Sequence, residues 1–297
     1  MPALSLSDLQ RRVQGLNGLP SLPVVLMPVL NQLNADVDAV DLHRTVELVA
    51  RDGALAAQVL HMANSPLFGM PKRVTSLRAA ALALGVQRLK DIVASCCLMQ
   101  ISPRRAGVNA AALWEHSFAC AMVSRNLARK LGYPDPERAY LAGLIHDLGI
   151  IVNMILVPRE FAQVYKDAVA SLRPLGDIET EELGFSHELS GELLSEHWQL
   201  SEYLSEVMRC HHHVEQTKVD PMLAALINIA DLLCRTSFLG YGYTENISVN
   251  IQEGPAWKII SASSPHVHAL DMVCFTLEVE AHVNEVRNLV SFLFTGG

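Results

Sequence analysis

Imidazoles and carboxylates recur in a fixed order within apolar, helix-like stretches of this chain: His116, the adjacent pair His146-Asp147, His187, the run His211-His212-His213, and Asp231. Neutral imidazole and carboxylate are the donor types that Zn, Fe, Mn or Mg centres use. Two divalent ions held about 3.5–4 Å apart by such groups would polarise a phosphoryl oxygen and generate hydroxide. The ordered set therefore separates two functions: a metal-dependent phosphoester hydrolase, or a protein that keeps that frame for another purpose.

Each group also has a plainer reading. A lone histidine in an apolar helix is usually hydrogen-bonded to a backbone carbonyl and structural. Asp147 can cap a helix, and Asp231 can pair with Arg235 four residues on. Cys210 abuts the histidine run and reads as a small buried hydrophobe. His43, His61, His197, His266, His268 and His282 have no partner acids at telling spacing and read as surface or packing residues.

Helices must position these groups. Half of the 297 residues are apolar, 18% are charged and only 6% aromatic, a composition suited to packed helices. In the first third, Asp41 opens a helical run that Asp52-Gly53 punctuates; a second helix is predicted from Ala54 to Ala63, and Asn64-Ser65-Pro66 stops it, because proline disfavours helical geometry in the residue before it. Further helices are expected from Ser76 to Leu84 and from Gln87 to Ile101. A helix through Trp114 and His116 closes at Gly132. Asp135 caps the next, with Pro136 at its first position, and leads into His146-Asp147. Consecutive helical residues sit about 100° apart, so this pair can straddle one inward edge. Glu179 to Leu183 form a short turn. His187 begins one helix, and a helix capped by Ser201 ends in the histidine run, so the two can converge in a bundle core. Asp231 lies on a helix from Pro221 to Phe238. The tail holds a strand-permissive Ile247-Ser248-Val249 and one amphipathic helix, roughly Ser264 to Phe294.

Charge and cysteines narrow the partners. With 23 basic and 31 acidic residues the formal charge is −8, which disfavours nucleic acid. The basic cluster Lys72, Arg73, Arg78, Arg88 and Lys90 reads as a solvated helix face. Six cysteines without framework spacing suit a reduced, cytoplasmic protein. No unbroken apolar stretch of membrane-spanning length and no signal peptide are expected.

The ordered set resembles the HD superfamily of metal-dependent phosphohydrolases. His187-Glu188-Leu189-Ser190-Gly191 stands 24 residues ahead of His211-His212, the interval at which a His-Pro-x-x-Gly element precedes a His-His pair in the related HD-GYP cyclic-di-GMP phosphodiesterases. The first lobe is more specific. Leu19-Pro20-Ser21-Leu22-Pro23, Asp52-Gly53-Ala54-Leu55, Ala63-Asn64-Ser65-Pro66-Leu67-Phe68-Gly69 and Ala81-Leu82-Ala83-Leu84-Gly85 resemble the HDOD domain, the HD-related output domain of bacterial signalling proteins. The likeness covers about residues 15 to 245 and extends to Gly240-Tyr241-Gly242. It implies an all-α, two-lobed fold, with an N-terminal helical lobe at 1–107, an HD-like lobe at 108–240 and a helical extension at 241–297. It implies candidate metal ligands at His116, His146, Asp147, His187, His211, His212 and Asp231.

Departures from the enzymes shape the expected function. Active HD-GYP proteins follow His-Asp with x-Gly-Lys, whereas this chain reads His146-Asp147-Leu148-Gly149-Ile150. No Gly-Tyr-Pro loop follows, His213 stands where the enzymes carry Glu, and Ala112 where some trinuclear relatives carry a ligand carboxylate. Losing the cation and the loop removes electrostatic stabilisation on which phosphoryl transfer depends. The expectation is a signal-transduction module that binds a protein partner or small ligand without catalysis, with Fe, Mn or Zn, or no metal, and with homo-oligomers permitted. The alternative is a metal-dependent phosphohydrolase acting on a nucleotide or other phosphoester, with Asp147 at the attacking water.

Overall fold

Short polar residues start the helices. Asp52 Oδ1 accepts the backbone N–H groups of Ala54 and Leu55 at 3.0 Å each, and Asp135 Oδ1 accepts that of Arg138 at 3.0 Å. Each bond satisfies a donor that the first helical turn leaves orphaned. The computed structural model describes residues 42–295 except 71, 104–108 and 249, together with Ser5, Ser7, Asp8, Arg11 and Leu26. The Leu19 to Pro23 motif lies outside the described residues, as does Val249.

The chain is all-α, with no strand among the described residues. It divides into two compact units, Met1–Leu19 with Pro103–Ala281 and Pro20–Ser102 with His282–Gly297. The smaller unit contains α1 (Leu42–Ala50), α2 (Gly53–Ala63), α3 (Leu77–Leu84) and α4 (Val86–Met99). Every residue of α4 from Leu89 to Leu98 is buried. Lys90 therefore belongs to the interior and not to a solvated basic face, and burial pulls its amine down to about 8.

The larger unit carries the ordered His/Asp set. It runs through α5 (Ala110–Lys130), α6 (Pro136–Ile145), α7 (Leu148–Leu156), α8 (Pro158–Ser171), α9 (Leu175–Leu183), α10 (His187–His197), α11 (Glu202–Cys210), α12 (Pro221–Thr236), α13 (Pro255–Ser263) and α14 (Met272–Ala281). α5 packs against α6 and α12, α7 against α10, and α10 against α11. Trp114, Phe118 and Tyr140 are buried in this core, each contributing roughly 1.5–3 kcal/mol by leaving water. The helical run Pro136–Leu156 has the length and apolarity of a membrane span, but 89% of its apolar window is buried.

Three local expectations change. His146 and Asp147 form a turn between α6 and α7 and do not lie within one helix. Ser201 precedes α11 but makes no capping bond. The expected helix from 264 to 294 is broken into a 3-10 segment at Pro265–Ala269, then α14 and α15 (Val283–Thr295). The break has a cause: Asp271 Oδ1 accepts the N–H groups of Val273 and Cys274 at 3.0 Å each, starting α14 afresh. α15 belongs to the smaller unit.

Two glycines set the helix spacing around the site. A Cβ on Gly143 would meet the Cys120 carbonyl and Ser124 Oγ at 2.8 Å, and one on Gly149 would meet the His187 carbonyl at 1.8 Å. Only a residue without a side chain lets α7 approach α10 this closely. Gly149→Ala is expected to destabilise the protein by about 3 kcal/mol or more. Gly53→Ala, where nothing lies within 4 Å, should stay within about 1 kcal/mol and tend to stabilise. Chemical denaturation of the two variants checks both.

Candidate functional site

Asp147 occupies the N-cap position of α7, yet its carboxylate makes no capping bond. It turns into the core. Oδ2 lies 3.3 Å from His116 Nε2 and 3.2 Å from His146 Nε2, and it accepts the Tyr241 hydroxyl at 2.8 Å. Oδ1 faces the other way, 3.4 Å from His187 Nε2 and 3.2 Å from His211 Nε2. Asp231 joins from α12, its Oδ1 3.2 Å from His116 Nε2. His212 Nδ1 stands 3.6 Å from Asp231 Oδ2. All seven residues singled out in the sequence thus meet at one place. All are buried except His212, whose side chain is 23% exposed. His213 does not join them; its ring is 57% exposed and faces Glu188 and Glu215.

Four of the five imidazoles are oriented from behind. Nδ1 of His116 lies 2.7 Å from the Leu239 carbonyl, that of His146 2.8 Å from Gly143, and that of His211 3.2 Å from Val207. A carbonyl oxygen only accepts, so each Nδ1 carries a proton, and in the neutral ring each Nε2 offers a lone pair inward. His187 is held by Glu179, whose Oε2 accepts its Nδ1 at 2.5 Å and its backbone N–H at 2.8 Å. Asn153 Nδ2 donates to Glu179 Oε1 at 2.8 Å, and Ser190 donates to Asn153 Oδ1 at 2.6 Å.

This tautomer leaves acceptors facing acceptors. Nε2 of His146, His187 and His211 and Oδ1 of Asp147 and Asp231 are buried without a hydrogen-bond partner. Protons or a cation must fill the gap. The 3.2–3.4 Å separations fit a cation, because ligands about 2.1 Å from one ion lie about 3.0–3.4 Å apart at octahedral or tetrahedral angles. The donors fall into two groups, His116, Cys120, His146 and Asp231, and Asp147, His187, His211 and His212. In each group the donor atoms lie within 4.8 Å of one another.

Without an ion, protons on two of the imidazoles answer the buried carboxylates. Burial pulls the His116 imidazole down, but Asp147 and Asp231 outweigh it and hold it well above its ordinary value. Burial also opposes His187, which Glu179, Asp147 and Glu188 raise to about 9. His146 and His212 go the other way, lowered first by burial and then by neighbouring imidazoles. Asp147 stays well below the usual carboxylate range despite burial, because His146, His116 and His211 surround it. Arg235 Nη1 donates to Asp231 Oδ2 at 3.1 Å, the pairing their spacing suggested, and its Nε donates to Glu245 at 2.5 Å.

The sequence of the HDOD domain family matches residues 19–214. The chain belongs to the HDOD family. A solved HDOD domain protein of unknown function from Geobacter sulfurreducens is 24% identical, with a TM-score of 0.82 over 98% of this chain and 99% of its own. A candidate phosphohydrolase from Shewanella amazonensis is 22% identical, with a TM-score of 0.72 over 96% and 97%. A candidate signal transduction protein from Marinobacter aquaeolei is 19% identical, with a TM-score of 0.74 over 99% of this chain and 62% of its own. These likenesses establish the HDOD fold. An uncharacterized protein of Treponema pallidum is 24% identical over 201 residues, and this chain spans 38% of its length.

Several residues that shape the HDOD site carried no signal in the ordered pattern. Tyr241 is buried with its hydroxyl on Asp147 and its ring 4.7 Å from that of His116. Glu245 balances Arg235 and also accepts from Tyr243 at 3.0 Å. Cys120 Sγ lies 3.5 Å from His116 Nε2, one helical turn along α5. Glu179 sits eight residues before His187, and that acid-to-imidazole interval is the one clue the sequence held. Glu179→Ala would strand three buried donors, a loss of about 3 kcal/mol. Glu179→Asp and Asn153→Ala should cost less, and denaturant titration of the three variants checks the order.

Proposed function

We propose that this chain is a bacterial signal-transduction module that holds one or two transition-metal ions in its buried cluster. It works by binding a protein partner or small ligand, without turnover. The five partnerless acceptor atoms carry the metal half of this reading. Imidazole and carboxylate donors suit Fe, Mn or Zn. His116, His146, Asp147 and Asp231 would hold a first ion, with His187, His211 and His212 extending the site to a second through Asp147. When bound, such an ion supplies positive charge against two buried carboxylates and a Lewis-acid face. We place the module in the cytoplasm, where its six free thiols stay reduced.

The surroundings support binding over turnover. A cavity of about 280 Å³ opens onto His187, His212 and Tyr241. Asp177 and Glu188 line it and repel a phosphoester. Arg235 also lines it, but Asp231 and Glu245 already balance its charge. Ile150, where the phosphodiesterases carry lysine, is buried.

One observation favours a second reading, a metal-dependent phosphohydrolase acting on a nucleotide or other phosphoester. The complete ligand set reaches a cavity at His187 and His212. Elemental analysis of the purified protein tests the metal. We expect stoichiometric Fe, Mn or Zn that Asp147→Ala abolishes; metal-free native protein would refute that half. A phosphoesterase screen of the loaded protein separates the two readings. We expect no turnover, whereas hydrolysis abolished by His146→Ala would establish the enzyme.

A further inference from the structure

The smaller unit holds an open cavity of about 940 Å³ whose lining is unlike the metal cluster. α2, the turn after it and α15 build the walls. Leu60, Val74 and Leu289 supply an apolar floor. His61 and Phe292 stack in the wall, with ring centroids 3.2 Å apart and planes 9° from parallel. Burial and the neighbouring Arg73 both push His61 below its ordinary value, so the ring is a neutral aromatic near pH 7. His61 remains exposed.

Two polar groups of the lining, Asn64 and Ser65, are already bonded. Asn64 Nδ2 donates to the carbonyls of Leu60 at 2.7 Å and Val74 at 2.8 Å, and its Oδ1 accepts the Val74 N–H at 2.7 Å. Ser65 Oγ accepts the Leu67 N–H at 3.2 Å. Arg73 differs: it is exposed, it lines the cavity, and it makes no hydrogen bond or ion pair among the described residues. The volume falls within the range of small-molecule sites, about 300–1,000 Å³, which pair apolar walls with a few polar groups.

We propose that this cavity binds a small amphiphilic anion, its flat aromatic body against His61 and Phe292 and its one acidic group on Arg73. Stacking on a neutral ring pair and a guanidinium contact are separable contributions. Glu285, the acid in the lining, sets a limit on net negative charge and favours a single anionic group. The site deepens the small-ligand half of the proposed function and is independent of any metal in the larger unit.

Anilinonaphthalene sulfonate has this chemistry, and N-phenylnaphthylamine is its uncharged counterpart. Fluorescence titration of the full chain should give one saturable site for the sulfonate. Arg73→Glu and Ala57→Trp change exposed positions. Each should weaken sulfonate binding by about fivefold or more while leaving cooperative melting intact. The neutral probe should bind wild type and Arg73→Glu alike. Absence of a saturable site, or a site that both variants leave unchanged, would overturn the proposal. Neither result depends on metal content, so the metal reading is tested separately.

Discussion

Two carboxylates, Asp147 and Asp231, sit fully inside the larger unit, and their charge must be answered there. Burying an unpaired carboxylate costs several kcal/mol even after relaxation. Asp231 is answered in part by Arg235, which Glu245 in turn offsets. Among the described residues no arginine or lysine pairs with Asp147. Its two oxygens are divided between imidazoles, Oδ2 toward His116 and His146 and Oδ1 toward His187 and His211. The carbonyls behind His116, His146 and His211 fix a proton on each Nδ1 and turn each Nε2 toward that carboxylate. Without an ion, protons held on His116 and His187 supply the positive charge at its centre, the place a cation would take.

Much of the surrounding structure serves to hold that arrangement still. Gly143 and Gly149 bring the turn carrying His146 and Asp147 against α5 and α10. Glu179, Asn153 and Ser190 form a chain of hydrogen bonds that fixes His187. Tyr241 pins Asp147 Oδ2, which leaves Oδ1 to face the opposite group. Partners behind the ligands set tautomer and orientation, a common arrangement where imidazoles bind metal. Ile150 packs in the core, and the cavity at His187 and His212 is narrow and edged with acids.

Local signals made much of this legible from residues alone. Asp135 caps its helix where its side chain announces it, and the ordered histidines and aspartates meet although His146 and Asp147 lie in a turn and not on one helix. What stayed hidden depends on distant contacts or on competing caps. Tyr241 reaches Asp147 across 94 residues, so no spacing rule connects them. Lys90 looks like a surface charge because its long side chain usually is one, but α4 is buried along ten consecutive residues, Leu89 to Leu98. The tail reads as one amphipathic helix until Asp271 is seen to restart it.

The most direct measurement is anomalous diffraction from crystals soaked in Mn(II), collected where manganese scatters and with a chelated control. A cation held by this site predicts a difference peak bounded by His116, His146, Asp147 and Asp231, absent from the control. No peak at that position, with Asp147 bridged only by protons or water to unchanged imidazoles, would contradict the account.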